Sequence, residues 1–147
     1  MEPTRSCGSA CQPLLGVELL DLKEGLGDIA RARAFACRAA RGLSPDEATR
    51  FELAVVEAFT NVVRHALVGP GPVHLRAEFY VDRICFSLAH AGPVFVPPPI
   101  EALNLAPDRE GGMGLFLISQ GADQVVYGRQ TDGRAGVQLV KFLKGEE

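Results

Sequence analysis

Apolar and polar residues alternate from Val73 to Tyr80, with Val73, Leu75, Ala77 and Phe79 set against His74, Arg76, Glu78 and Tyr80. A period of two predicts a half-buried strand. After a turn at 81–83, a second run over 84–89 puts Ile84, Phe86 and Leu88 on one side. Shorter apolar runs at 17–22, 124–128 and 137–143 read as further strands, the last two joined by the turn-rich "TDGRAG". Elsewhere the period lengthens. Over 28–41, Ile29, Ala32, Phe35, Ala36 and Ala39 or Ala40 recur at helical spacing. A second helix follows, with Ser44 as its N-cap, Pro45 at its first position and Glu47 completing a capping box. The glycines and prolines of 69–72 stop it. "MGLFLISQGAD" predicts a short apolar third helix, and "VPPPIEALNLAPDREGG" before it carries no regular period. A loop of that length is commonly functional or mobile, and Pro97 to Pro99 favour an extended, stiff start to it. The expected fold is an α+β two-layer sandwich: a mixed, mostly antiparallel sheet with its helices on one face.

Composition narrows the function classes. The chain has 147 residues, 47% hydrophobic and 22% charged, enough for one domain with its own core. We expect a flexible lead over 1–13 and a single domain over 14–147. A net charge of −3 without a dense basic patch argues against nucleic acid. No apolar run approaches the roughly 18 residues that span a bilayer, and the start lacks a signal-peptide core. Both point to a cytoplasmic protein. Cys7 and Cys11 form C-x3-C, but Cys37 and Cys85 supply no second pair of zinc-finger spacing. Free thiols in a reducing cytosol are therefore expected.

"ELAVVEAFTNVVRHA" raises the chemical question. On a helical wheel, Asn61 and His65 lie about 40° and 80° round from Glu57, a polar stripe expected to face away from Val55, Val56, Ala58, Phe59, Val62, Val63 and Ala66 on the opposite side. A solvated face accounts for Glu57 and Arg64. It does not account for Asn61, which weakens a helix by up to roughly 0.7 kcal/mol relative to alanine. A carboxylate and an amide one turn apart can divide two tasks: the first accepts a proton, the second ligates Mg²⁺ among phosphates. That division needs a phosphate site, and "GGMGLFLI" offers glycines at a helix start, where backbone N–H groups favour anions.

E-x3-N-x3-H-A, two strands, "HAGPVF", a long loop and "GGMGLFLI" resemble, in that order, the motifs of gyrase- and histidine-kinase-like ATPases. Size favours the small bacterial anti-sigma-factor serine kinases among them. The resemblance implies a sandwich that binds ATP and Mg²⁺, with Glu57 as general base toward a serine hydroxyl on a partner and Asn61 as the Mg²⁺ ligand. His65 would support the same helix face. His90, Gly92, Arg109, Gly112, Met113, Gly114 and Leu115 would complete the nucleotide site. The implied partners are an anti-anti-sigma (antagonist) protein and a sigma factor or other effector, with a homodimer as the assembly.

Two departures stand out. The family reads adenine with D-x-G-x-G, whereas here the stretch is His90-Ala91-Gly92-Pro93-Val94. A neutral imidazole can accept a hydrogen bond through one nitrogen, but it lacks the carboxylate's charge, and a histidine next to a Gly-Pro turn can also simply bond the local backbone. Arg109 stands near the position of a lid arginine, with Glu110 in that register. The alternatives are a partner-binding module of the same fold with weak or lost nucleotide binding, and a free-standing ATPase or hydrolase.

Overall fold

The structure is a computed structural model that describes residues 13–66, 71–94, 112–130 and 132–143. The predicted alternation is visible in it. Strands β2 (Val73–Tyr80) and β3 (Arg83–His90) pair antiparallel, and residues directly opposite share a face: Leu75 with Leu88, Ala77 with Phe86, Phe79 with Ile84. Strand β1 (Leu14–Leu22) flanks β2, while β5 (Ala135–Phe142) flanks β3 and sets Val137 against Leu88 and Leu139 against Phe86. Strand β4 (Gln124–Arg129) closes the far edge, giving the order β1-β2-β3-β5-β4. Expected as mostly antiparallel, the sheet is antiparallel at every described pairing.

Helices α1 (Ile29–Ala39), α2 (Pro45–Asn61) and α3 (Gly112–Gly121) cover one face. Phe86 projects from the middle of that face, and the rings of Phe35 and Phe51 meet it edge-on at 5.6 and 5.8 Å. Burying each such ring contributes about 1.5–3 kcal/mol, and the T-shaped geometry adds roughly 0.5–1.5 kcal/mol per pair. Ala32, Ala36, Ala54 and Ala58 are buried among them, so the helices approach closely. The tightest approach is at Gly121, where an added Cβ would collide with the Arg50 carbonyl oxygen and lie 2.6 Å from the Ala54 Cβ.

Local chemistry fixes the helix ends. Ser44 Oγ accepts from the Glu47 N–H at 3.3 Å and donates to the Glu47 carboxylate at 3.2 Å. Glu47 also meets Lys141 Nζ at 3.5 Å, tying the start of α2 to β5. The buried Asp28 carboxylate accepts from the Glu24 N–H (2.8 Å) and Arg31 (3.2 Å), so its charge is not stranded.

Three features depart from the expectations. Strand β1 begins at Leu14 rather than at 17, with a register shift between Leu14 and Gly16 that breaks its alternation. Helix α2 gives way after Asn61 to one π turn, Val62–Ala66, which widens the spiral and displaces His65 from the regular wheel. Cys85 is disulfide-bonded, correcting the expectation of free thiols, while Cys37 is free and exposed. Among the described residues no helix is long and apolar enough to cross a membrane.

Candidate active site

Glu57 and Asn61 lie one turn apart on α2, both half-buried. Glu57 faces the first turn of α3: a Cβ added to Gly114 would stand 2.8 Å from its Oε1. No side chain fits between the carboxylate and that backbone, which gives Gly114 a physical role. Gly114→Ala is expected to push the Glu57 carboxylate aside and lower turnover while the melting temperature stays close to that of the parent. Kinetics and thermal unfolding on the same preparation check this.

Asn61 faces a different neighbour. It lines a small cleft with Ala58, Val62, His90, Ile118, Tyr127, Gly136 and Val137. The cleft's volume is about 10 Å³, room for a single water. His90, at the end of β3, is 1% exposed, and its Nδ1 lies 2.9 Å from the Ala91 carbonyl oxygen. A carbonyl only accepts, so Nδ1 carries a proton and donates it, leaving Nε2 as the ring nitrogen not used by this bond. Two residues on, Gly92 has φ +116°, a conformation that other residues rarely adopt. This is the backbone reason for glycine there. Burial pushes the Tyr127 phenol above the ordinary tyrosine range.

The structure therefore brings Asn61 and His90 into one cleft and Glu57 against Gly114. His65 lies on the π turn, exposed and outside that cleft. Gly112, Met113 and Leu115 form the first turn of α3 with Gly114. Arg109 lies outside the described residues. Reading the sequence did not single out Ile118, Tyr127 or Gly136 as cleft residues. Tyr127 carried a signal, since its place in the 124–128 alternation puts it on the helix side with Val137 opposite.

With this arrangement in hand, comparison with known proteins is informative. The model for the histidine kinase-like ATPase domain matches residues 23–141. This chain belongs to that family. Serine-protein kinase RsbW of Staphylococcus epidermidis is 31% identical to it over 117 residues, covering 72% of each chain. RsbW of Halalkalibacterium halodurans is 32% identical over 114 residues, covering 72% of this chain and 69% of the relative. RsbW of Staphylococcus aureus is 28% identical over 117 residues, with 72% of each covered. The resemblance to anti-sigma-factor kinases drawn from the motifs is thus supported across most of this ATPase-family chain.

Membership implies ATP as the ligand. No group of three or more His, Cys, Asp or Glu among the described residues of this family member could hold a metal alone. The donor set nonetheless suits Mg²⁺ brought in with phosphates. Mg²⁺ takes oxygen ligands, keeps several waters and needs only one or two protein donors beside a nucleotide. The Asn61 amide oxygen is such a donor, and Gly114 leaves the space beside Glu57 that a side chain would fill.

Proposed function

We propose that this chain is an anti-sigma-type serine kinase that phosphorylates an anti-anti-sigma antagonist protein. The observation that carries the reading is the meeting of Glu57 with the glycine-bearing start of α3, one helical turn from an amide that shares a cleft with His90. Mg²⁺·ATP, when bound, supplies the phosphoryl group and offsets its charge during transfer. Asn61 would hold the metal through its amide oxygen. Glu57 takes the proton of the acceptor serine hydroxyl, and the carboxylate needs only to reach that hydroxyl at hydrogen-bond distance. The first N–H groups of α3 would offer donors to the phosphates, as at other anion-binding helix starts. His90 Nε2 accepts from an amine on the base, in place of a carboxylate. The sigma factor or effector binds the same protein, as a homodimer in the cytoplasm.

A second reading, a partner-binding module with weak nucleotide affinity, is favoured by His90 itself. Its Nδ1 is occupied by Ala91, and the cleft around it admits one water, so a base must displace its walls to reach Nε2. Titration calorimetry of the native chain and His90→Asp separates the two. A charged acceptor is worth about 1.5–3 kcal/mol, so His90→Asp is expected to tighten Mg²⁺·ATP binding roughly tenfold to a hundredfold. Micromolar binding by the native chain, with phosphoserine formed on the antagonist from labelled ATP, supports the kinase. Antagonist binding that ignores nucleotide, with no phosphoserine, supports the module.

A further inference from the structure

The face of the sheet away from the helices carries a trough of about 740 Å³, within the ordinary size of a small-molecule site. Strand register explains it. Side chains on one face of an antiparallel sheet fall in rows across the strands, and one row here runs Asp21, His74, Ala89, Gly136. Its inner half shrinks to a methyl group and a hydrogen. The Gln130 side chain lies over Gly136, its Nε2 standing 2.8 Å from where a Cβ would be. The next row runs Leu19, Arg76, Ser87, Gln138, with the small serine again near its centre. Large side chains on either side of small ones make the surface concave.

The charges around the trough are uneven. Asp21 and Glu78 line it, and both are taken: Asp21 Oδ1 lies 2.7 Å from His74 Nδ1, and Glu78 accepts from Arg76 Nε at 2.6 Å. Arg129 and Arg134 stand at the β4–β5 end, the first opposite Ala135 and the second beside Ala135 in the chain. Asp132 clamps Arg134 through Nε and Nη2, at 2.8 and 2.6 Å. Arg129 donates from Nη1 to the Gly133 carbonyl oxygen at 2.8 Å, and among the described residues no carboxylate pairs with it. A guanidinium has five N–H donors, so the bonds that fix these two side chains use only some of them. Arginines held in advance match the paired oxygens of a phosphate or carboxylate at a reduced entropic cost. On the far side Leu19, 66% exposed, offers an apolar wall.

We propose that the trough binds a small molecule with an oxyanion head, held by Arg129 and Arg134, and a flat apolar body that lies over Ala89 and Ser87 toward Leu19. The head is a phosphate or a carboxylate, since both present the paired oxygens that a guanidinium fork recognises. The site backs onto the cleft that holds Asn61: Ala89 precedes His90 in the chain and is opposite Gly136, and His90 and Gly136 both border that cleft. It is nevertheless a separate site, on the other face of the sheet and built from other side chains.

Amide chemical-shift mapping of the full isotope-labelled chain tests this. The probes are inorganic phosphate, naphthyl phosphate and naphthoate; no nucleotide is added, so the outcome is independent of the kinase reading. Naphthyl phosphate is expected to shift the amides of Ala89, Gln130, Arg134 and Gln138. It should bind at least about tenfold more tightly than inorganic phosphate, because only the aryl compound buries an apolar ring. The Arg129→Gln, Arg134→Gln double variant is expected to weaken that binding at least about tenfold, with the amides of α1 and α2 unmoved as the check on its fold. Asn61→Ala should leave it unchanged. Naphthoate binding as tightly as naphthyl phosphate would make the head a carboxylate as readily as a phosphate, and binding by naphthyl phosphate alone would make it a phosphate; either supports the site. Shifts confined to Asn61 and the first turn of α3 would overturn it, because the anion would then belong to the nucleotide side. So would an affinity unchanged in the double variant, equal binding of inorganic and naphthyl phosphate, or no shift with any probe at millimolar concentration.

Discussion

Glu57→Gln should slow phosphoryl transfer to the antagonist by about 10²–10⁴-fold, the usual contribution of a positioned general base, while Mg²⁺·ATP affinity stays near that of the parent. The amide has the carboxylate's shape, so the close fit against Gly114 is preserved. What it loses is the capacity to take a proton. Asn61, one turn away, is left unchanged by the substitution. A single-turnover measurement with labelled ATP isolates the chemical step, and calorimetry on the same variant isolates binding. A fall of less than tenfold with affinity intact would place the base elsewhere. A matching loss of affinity would make Glu57 a nucleotide contact instead. Phosphoryl transfer asks little covalent work of a protein, so the lower end of the range is the more informative boundary.

The second large effect is on stability. Gly121→Ala puts a methyl group into the Arg50 carbonyl oxygen and 2.6 Å from Ala54 Cβ. Both obstacles belong to the α2 backbone or its stem, and neither can swing away as a long side chain would. The helices must part, and overpacking of this kind costs about 1–3 kcal/mol, occasionally more. For a domain of this size that is a fall in melting temperature of roughly 3–12 °C. Differential scanning calorimetry reads it directly. The variant should also lose turnover beyond its loss of fold, because α3 carries Gly114 to Glu57. An unchanged melting temperature would mean that α3 shifts along α2 at little cost.

Much of this architecture was legible because it is local. The alternation in β2 and β3 gave both strands and their faces, since a period of two leaves no other way to bury Leu75, Phe86 and Leu88. Ser44 and Pro45 marked the start of α2 by cap chemistry. Asn61 stood out because an amide in a helix needs a reason, and His90 because the motif order exposed it. What escaped depends on distant or aperiodic features. The π turn after Asn61 has no signature in hydrophobic spacing, so His65 could not be set correctly on a wheel. Gly121 was not singled out within the predicted third helix, because its significance lies in Arg50, far back in sequence. Cys85 read as a thiol in a strand, and only the pairing of strands placed it beside Tyr80 and Val140 on the face without helices. The cleft needed all of α2, α3, β3, β4 and β5 to exist at once.

The strand order has a consequence for biosynthesis. The ribosome delivers β5 after every other described element, yet β5 occupies an interior lane between β3 and β4. Until it emerges, β3 has an unpaired inner edge and β4 lacks its partner strand among the described residues. Exposed edges of that kind invite pairing with other nascent chains. The first three strands and first two helices, all within residues 14–90, can form early, but the described sheet closes only in one late event.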